Sequence, residues 1–323
     1  MKLHKGLLLI WAIIIAMVLA ACGNGSKDEE GKKEEAGKQE INSFKVEHAM
    51  GTADIPDTPK RVVILTNEGT EALLSLGVKP VGAVKSWVGD PWYDHISDQM
   101  EGVEVVGDES QVNVEAIAKL NPDLIIGNKM RQEAIYPQLE AIAPTVFAET
   151  LRGDWKENFR LYAEAVNKKE EGEKVISDFD ARINGFKEKF GDKLDKEISL
   201  VRFMAGDVRI YHKDTFAGVI LDQIGFARPE NQDVDDFAEM NVSTERIPAM
   251  DGSVLFYFTY ETGDGEAQAL EDEWLNNPLF KNLEAVKSGN IHKVNDSIWN
   301  TAGGVVAANL MLDDLEKIME DTK

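Results

Sequence analysis

The chain has 323 residues, 43% of them hydrophobic, and carries 35 Lys and Arg against 58 Asp and Glu, a formal charge of −23. Such an acidic surface repels polyanions and argues against nucleic acid as a partner, while the apolar fraction is too high for a disordered chain. The length fits about two domains or lobes, each able to bury a sizeable core.

Two lysines stand within Met1–Lys5, and Leu7–Ala21 follows without a polar residue. That run is shorter than the roughly 20 residues a spanning helix needs. A basic start, an apolar stretch and small residues at its end predict a secretory signal over residues 1–21. Leu19-Ala20-Ala21-Cys22 resembles the bacterial lipoprotein box, which implies that Cys22 is diacylated and becomes the new N-terminus. Two acyl chains suffice for stable anchoring. Cys22 is the single Cys of the chain, so no thiol remains for a disulfide, a metal cluster or a nucleophile. Residues 22–43 are rich in Gly, Lys and Glu with almost nothing apolar, the composition of a flexible tether. Folded sequence is expected from near Phe44, on the extracytoplasmic face of the cell membrane. The long charged tether points to a Gram-positive surface.

Arg61–Thr66 is a continuous apolar run of the kind found in buried parallel strands. Asn67 is positioned to cap a helix bearing Ala72, Leu73, Leu74 and Leu76, and Gly77 closes it before a strand at Val81–Lys85. The pattern recurs with a short helix from Asn113, a break at Asn121-Pro122, a strand at Asp123–Gly127, a helix over Gln132–Ala141 and a strand at Thr145–Ala148. This alternation predicts an α/β architecture with a mostly parallel sheet, its ligand positions beyond the strand C-terminal ends. From Lys168 to Gly191, Val175, Ile176, Phe179, Ile183, Phe186 and Phe190 lie on one helical face. A helix of that length spans about 35 Å and is read as the connection between two lobes. The boundaries that follow are an N-terminal lobe at 44–166, an interlobe helix at 167–192 and a C-terminal lobe at 193–323. The second lobe repeats a cadence of the first, since Ser243-Thr-Glu245 before the strand Val254–Thr259 matches Asn113-Val-Glu115 before Asp123–Gly127.

The segment Ile198–His212 predicts a hairpin turning at Gly206-Asp207. Alternation places Arg202, Met204, Arg209 and Tyr211 on one face and Val201, Phe203, Val208 and Ile210 on the other. Two guanidinium groups on one short hairpin of an acidic chain form a pocket for an anion, because their planar forks fit carboxylate or phosphate. Other cations and aromatics follow predicted strands at Lys85, Trp87, Arg131 and Trp299, along the edge where α/β sheets bind ligands. The five histidines have no metal-ligand spacing, and neither a Walker loop nor a GxSxG or GxGxxG motif occurs. His212 with Asp214 and Thr215 reads as a loop and helix cap. The expectation is a binding protein without enzymatic activity, cofactor or protein-bound metal.

Together with the lipobox and tether, the segments RVVILTNEGTEALLSLGVKPVGAV, NVEAIAKLNPDLIIG and WNTAGGVVAANLMLDDLEKI resemble the substrate-binding lipoproteins of iron–siderophore ABC importers. That is the helical-linker group of periplasmic binding proteins, which also includes cobalamin-binding members. The resemblance implies two Rossmann-like lobes with mostly parallel sheets, joined by one long rigid helix, with a ligand cleft between them. It further implies that Glu115 and Glu245 dock onto arginines of an ABC permease, whose ATPase drives uptake, and that the protein acts as a monomer. The ligand expected is a ferric siderophore of the hydroxamate or citrate–hydroxamate type. Lys85, Arg131, Arg202 and Arg209 would hold its anionic oxygens, and Trp87, Tyr211 and Trp299 would pack against it. The siderophore itself chelates the iron. Ferric catecholates are the alternative, and the same fold with cobalamin or haem is a more distant one.

Overall fold

A computed structural model describes residues 42–322. The signal and nearly all of the tether, Cys22 included, lie outside the described residues. The first element is a hairpin of β1 (Ser43–His48) and β2 (Gly51–Pro56). Its Val46, Ala53 and Ile55 are buried in the main core.

The N-terminal sheet consists of β3 (Val62–Ile64), β4 (Gly82–Ala83), β5 (Glu104–Val105), β6 (Leu124–Asn128) and β7 (Thr145–Ala148) in the order β5-β4-β3-β6-β7. Every neighbouring pair is parallel. Both faces are covered: Val62, Ile64, Leu124 and Ile126 enter one core, and Val63 and Ile125 enter another. The continuous apolar runs follow from this two-sided burial. Helix α1 (Asn67–Ser75) is capped by Thr66, whose side chain accepts from the Gly69 amide, rather than by Asn67. Helix α2 (Val114–Lys119) is capped by Asn113 as expected. The helix expected over 132–141 is broken into short pieces, Lys129–Gln132 and Tyr136–Glu140 joined by a 3₁₀ turn.

The second sheet is built from β8 (Ile198–Met204), β9 (Asp207–Tyr211), β10 (Ala238–Glu239), β11 (Val254–Tyr260) and β12 (Ile291–Lys293), ordered β10-β9-β8-β11-β12. The β8-β11-β12 portion is parallel, whereas β9 and β10 run antiparallel. The β8–β9 hairpin turns at Ala205-Gly206, with Arg202 opposite Arg209 and Met204 opposite Asp207. The left-handed seat of this loop (φ 71°) falls on its second residue, Gly206, so the turn forms one position earlier than the sequence indicates. Because the pairing slips by two residues, the expected faces survive.

Helix α3 (Trp155–Ala165) leads into α4 (Lys169–Phe190), whose 22 residues extend about 33 Å. Its stripe of Ile176, Phe179, Ile183, Phe186 and Phe190 is buried. Phe179 meets Trp155 of α3 edge-on at 5.2 Å between centroids, and Phe186 meets Phe226 of the second half at 5.8 Å. Helix α5 (Phe216–Ile224) joins this seam, where Lys156 Nζ donates to Asp180 (2.5 Å) and to Gln223 (2.6 Å), and Gln223 donates to Asp180 at 2.8 Å. A further helix, α6 (Glu266–Asn276), covers the outer face of the second sheet through Trp274.

The last helix, α7 (Val305–Asp321), packs on α1 and α4 and so returns to the first half of the chain, although the sequence reading assigned it to the C-terminal lobe. Two contacts explain the return. Glu71 of α1 is fully buried and accepts from the Ala307 amide at 2.9 Å, placing a carboxylate at the helix N-terminus. Arg182 of α4 donates to Asn309 (2.7 Å) and Asp313 (2.6 Å). Gly304 permits the approach, since a Cβ there would lie 2.6 Å from Glu71 Oε2. Among the described residues, no helix is long and apolar enough to cross a membrane.

Candidate functional site

The C-terminal ends of the two sheets face one cavity of about 590 Å³, walled by residues of both halves. From the first half come Glu68, Trp87, Glu109, Arg131 and Arg152; from the second, Arg202, Arg209, Tyr211, Phe237 and Tyr260. This size suits a small-molecule ligand.

The hairpin face supplies two guanidinium groups held in different ways. Arg202 is buried, and its Nε and Nη2 donate to the two carboxylate oxygens of Asp296 at 2.7 and 3.1 Å. Its Nη1 donates to the Tyr211 hydroxyl at 3.2 Å, and its guanidinium carbon stands 4.8 Å from the centroid of the Tyr260 ring. Tyr211 is itself buried, so its role here is to fix Arg202. Arg209 is more accessible, with Nε donating to Asp207 at 2.6 Å and the guanidinium 6.0 Å from the Phe237 ring. Arg131, in the helical turn that follows β6, lies 5.9 Å from the Trp87 ring and 3.8 Å from Glu109. These cation–π and charge-assisted contacts hold the forks in place before ligand arrives.

Arg152, Glu68 and Glu109 on the wall, like Phe237 and Tyr260, lay beyond the sequence reading. Arg152 stands 4.1 Å over the Phe237 ring and 3.8 Å from Asp214. It follows the C-terminal end of β7, so the reasoning that selected Arg131 applies equally to it. Glu68 and Glu109 are buried acids on the same wall. Glu109 accepts from the backbone and side-chain amides of Asn67 at 2.7 and 2.9 Å. Burial pushes its carboxyl above the usual range, against the opposing pull of Asn67 and Arg131.

Two expected residues lie elsewhere. Trp299 is fully buried away from the cavity, 4.6 Å from Phe256 between centroids, with Nε1 donating to Asp314 at 3.0 Å. Residues Ser297–Thr301 form a π-helical turn that directs Trp299 inward and leaves Asn300 and Thr301 on the cavity wall. Lys85 is exposed and lines a second cavity of about 430 Å³ together with Trp87, Asp108, Tyr260 and Glu261. Trp87 and Tyr260 are common to both cavities and join the halves directly, the Tyr260 hydroxyl donating to the Trp87 carbonyl at 3.3 Å.

Glu115 and Glu245 are exposed on the helical turns that precede β6 and β11. Those strands occupy equivalent places, fourth in each sheet. Asn113 caps its helix, but Ser243 donates to the Glu245 carboxylate at 3.2 Å instead of capping backbone. Among the described residues, no group of three or more His, Cys, Asp or Glu is placed to hold a metal ion.

Comparison with known proteins is consistent with this geometry. The profile of the family described as periplasmic binding protein matches residues 62–297. The chain is 54% identical over 334 aligned positions to the probable siderophore-binding lipoprotein YfiY of Bacillus subtilis (strain 168), covering 100% of both. It is 28% identical to the Fe(3+)-citrate-binding protein YfmC of the same organism, covering 97% of each chain. Among solved structures, Staphylococcus aureus SirA complexed with staphyloferrin B superposes with a TM-score of 0.79 at 35% identity, over 86% of this chain and 98% of that one.

The two hairpin arginines separate in stability. Arg202→Ala leaves Asp296 buried without its counter-ion and is expected to lower unfolding free energy by about 3–5 kcal/mol, with much of the loss recovered on adding Asp296→Asn. Arg209→Ala, nearer solvent, is expected to cost about 1 kcal/mol or less. Urea denaturation of the three variants checks this ordering, and equal losses would contradict it.

Proposed function

The chain belongs to the periplasmic binding protein family, and from that premise we propose that it captures an anionic ferric siderophore in the cleft and delivers it to an ABC importer permease. The observation that carries this reading is the convergence of Arg131, Arg152, Arg202 and Arg209 with Trp87, Phe237 and Tyr260 on one cavity between the two sheets. Guanidinium forks suit carboxylate and hydroxamate oxygens, and the aromatic faces suit the organic body of such a complex. The relatives, a probable siderophore-binding lipoprotein, an Fe(3+)-citrate-binding protein and a protein complexed with staphyloferrin B, support the same class. Within it we favour hydroxamate and citrate–hydroxamate complexes.

In this role the siderophore supplies all the iron ligands and the protein reads the outer charge and shape of the complex. The family is one of binding proteins, so capture and release without covalent chemistry complete the task. Cys22 is proposed as the lipid anchor, supported by the lipoprotein relative of matching length. Glu115 and Glu245 are proposed as the docking pair for the permease. Their exposure, their equivalent places before β6 and β11, and the absence of any ion pair to either among the described residues support the assignment.

Titration of tryptophan fluorescence with ferric citrate, ferric citrate–hydroxamate, trihydroxamate and catecholate siderophores, cobalamin and haem tests the ligand. Saturable quenching by a ferric hydroxamate or citrate–hydroxamate complex is expected, and Arg209→Ala should weaken it by about 1.5–3 kcal/mol, the range for hydrogen bonds to charged groups. A response confined to cobalamin or haem would overturn the ligand. The double variant Glu115→Ala with Glu245→Ala should bind normally yet fail to support uptake of radioactive iron by cells, and normal uptake would refute the docking pair.

A further inference from the structure

The cavity that gathers four arginines also contains an acid that, among the described residues, forms no ion pair. Glu68, in the first turn of α1, lies on the wall with 6% of its surface exposed. Its Oε1 accepts the Tyr162 hydroxyl at 3.1 Å. The charges that act on it are those of carboxylates, Glu109 from the loop after β5 and Asp154 at the start of α3. Each wall arginine faces a different acid: Arg131 faces Glu109, Arg152 faces Asp214, Arg202 faces Asp296 and Arg209 faces Asp207. The other acid of α1 in this region, Glu71, is paired with His95 at 2.6 Å. Among the described residues Glu68 therefore has hydrogen-bonding partners but no ion pair. Burial pushes its carboxyl well above the usual range; hydrogen bonds from Asn158 and Tyr162 pull the other way, and Glu109 and Asp154 add to the rise.

An anionic ligand entering this cavity displaces water from beside Glu68 and adds another negative charge. Both effects disfavour the carboxylate and favour the neutral acid. We propose that Glu68 is protonated in the ferric siderophore complex, so that capture takes up one proton from solvent and an anionic complex is accepted beside a buried acid. This inference rests on the ligand class proposed above. The sign follows from linkage: ligand raises the pKa of Glu68 further, so the protein takes up a proton between the free and bound values. Affinity is constant below the free value and falls as pH rises through it.

The test is isothermal titration of the detergent-solubilised full-length protein with ferric citrate and with a ferric citrate–hydroxamate siderophore, from about pH 5.5 to about 8.5, in paired buffers of different ionisation enthalpy. Comparing wild type with Glu68→Gln cancels the protonation of the ligand itself. The ratio of wild-type to Glu68→Gln Kd should rise with pH, approaching about tenfold per pH unit, and wild type should take up as much as one proton more than the variant. Tyr162→Phe removes a hydrogen bond that favours the carboxylate, so the pH at which affinity begins to fall should move upward. Binding with a flat Kd ratio and equal proton uptake would overturn the role of Glu68 while leaving siderophore capture intact. No binding of any ferric siderophore by wild type at any pH would overturn both.

Discussion

The cleft depends on one seam, the packing of α4 against both halves of the protein. Phe179 and Phe186 fill that seam through Trp155 on one side and Phe226 on the other, and Lys156, Asp180 and Gln223 tie α3, α4 and α5 beside it. Apolar burial of this kind is close-packed and does not deform continuously. The return of α7 onto α1 and α4, held by Glu71 and Arg182, adds a second connection between the two halves. The sheets are therefore held at a spacing that leaves a cavity of ligand size between their C-terminal edges.

Within that frame, the proposed capture of an anion by an acidic protein relies on charge arranged locally. The four wall arginines do not stand free; carboxylates of the same wall or the layer behind it hold their orientation. Arg202 illustrates the limit, since its bidentate partner and the Tyr211 hydroxyl occupy three of its nitrogens. In the proposed role it would contribute chiefly long-range charge and a stacked surface with Tyr260. Arg209, Arg131 and Arg152 lie nearer the cavity surface and are freer to meet ligand oxygens. Holding cations in this way lessens the ordering cost of binding but leaves the electrostatic balance of the cavity close. That balance is why a lone buried acid such as Glu68 carries weight.

Much of this was legible in the sequence, and the exceptions have physical causes. Buried parallel strands announce themselves as apolar runs, and α4 as a stripe at helical spacing, because burial imposes both patterns. The hairpin face was readable even though its turn was misplaced, since a slip of two residues returns every side chain to its own side. Trp299 was misread because its place after a strand was visible while the π-helical turn that carries it inward depends on tertiary packing. The same holds for α7, whose amphipathic pattern specifies a buried face but not the half of the molecule against which it lies. Nothing in the sequence sets Glu68 and Glu109 apart from other acids; tertiary contacts bury them, Tyr162 of α3 against Glu68 and Asn67 and Gln132 against Glu109.

The most direct measurement is anomalous diffraction at the iron edge from crystals grown with a ferric citrate–hydroxamate siderophore. A single iron peak in the cavity among Trp87, Arg131, Arg209 and Tyr260, with every iron ligand supplied by the siderophore, is the result predicted. Iron bound directly by Glu68 or Glu109, or a peak outside the cavity, would contradict it.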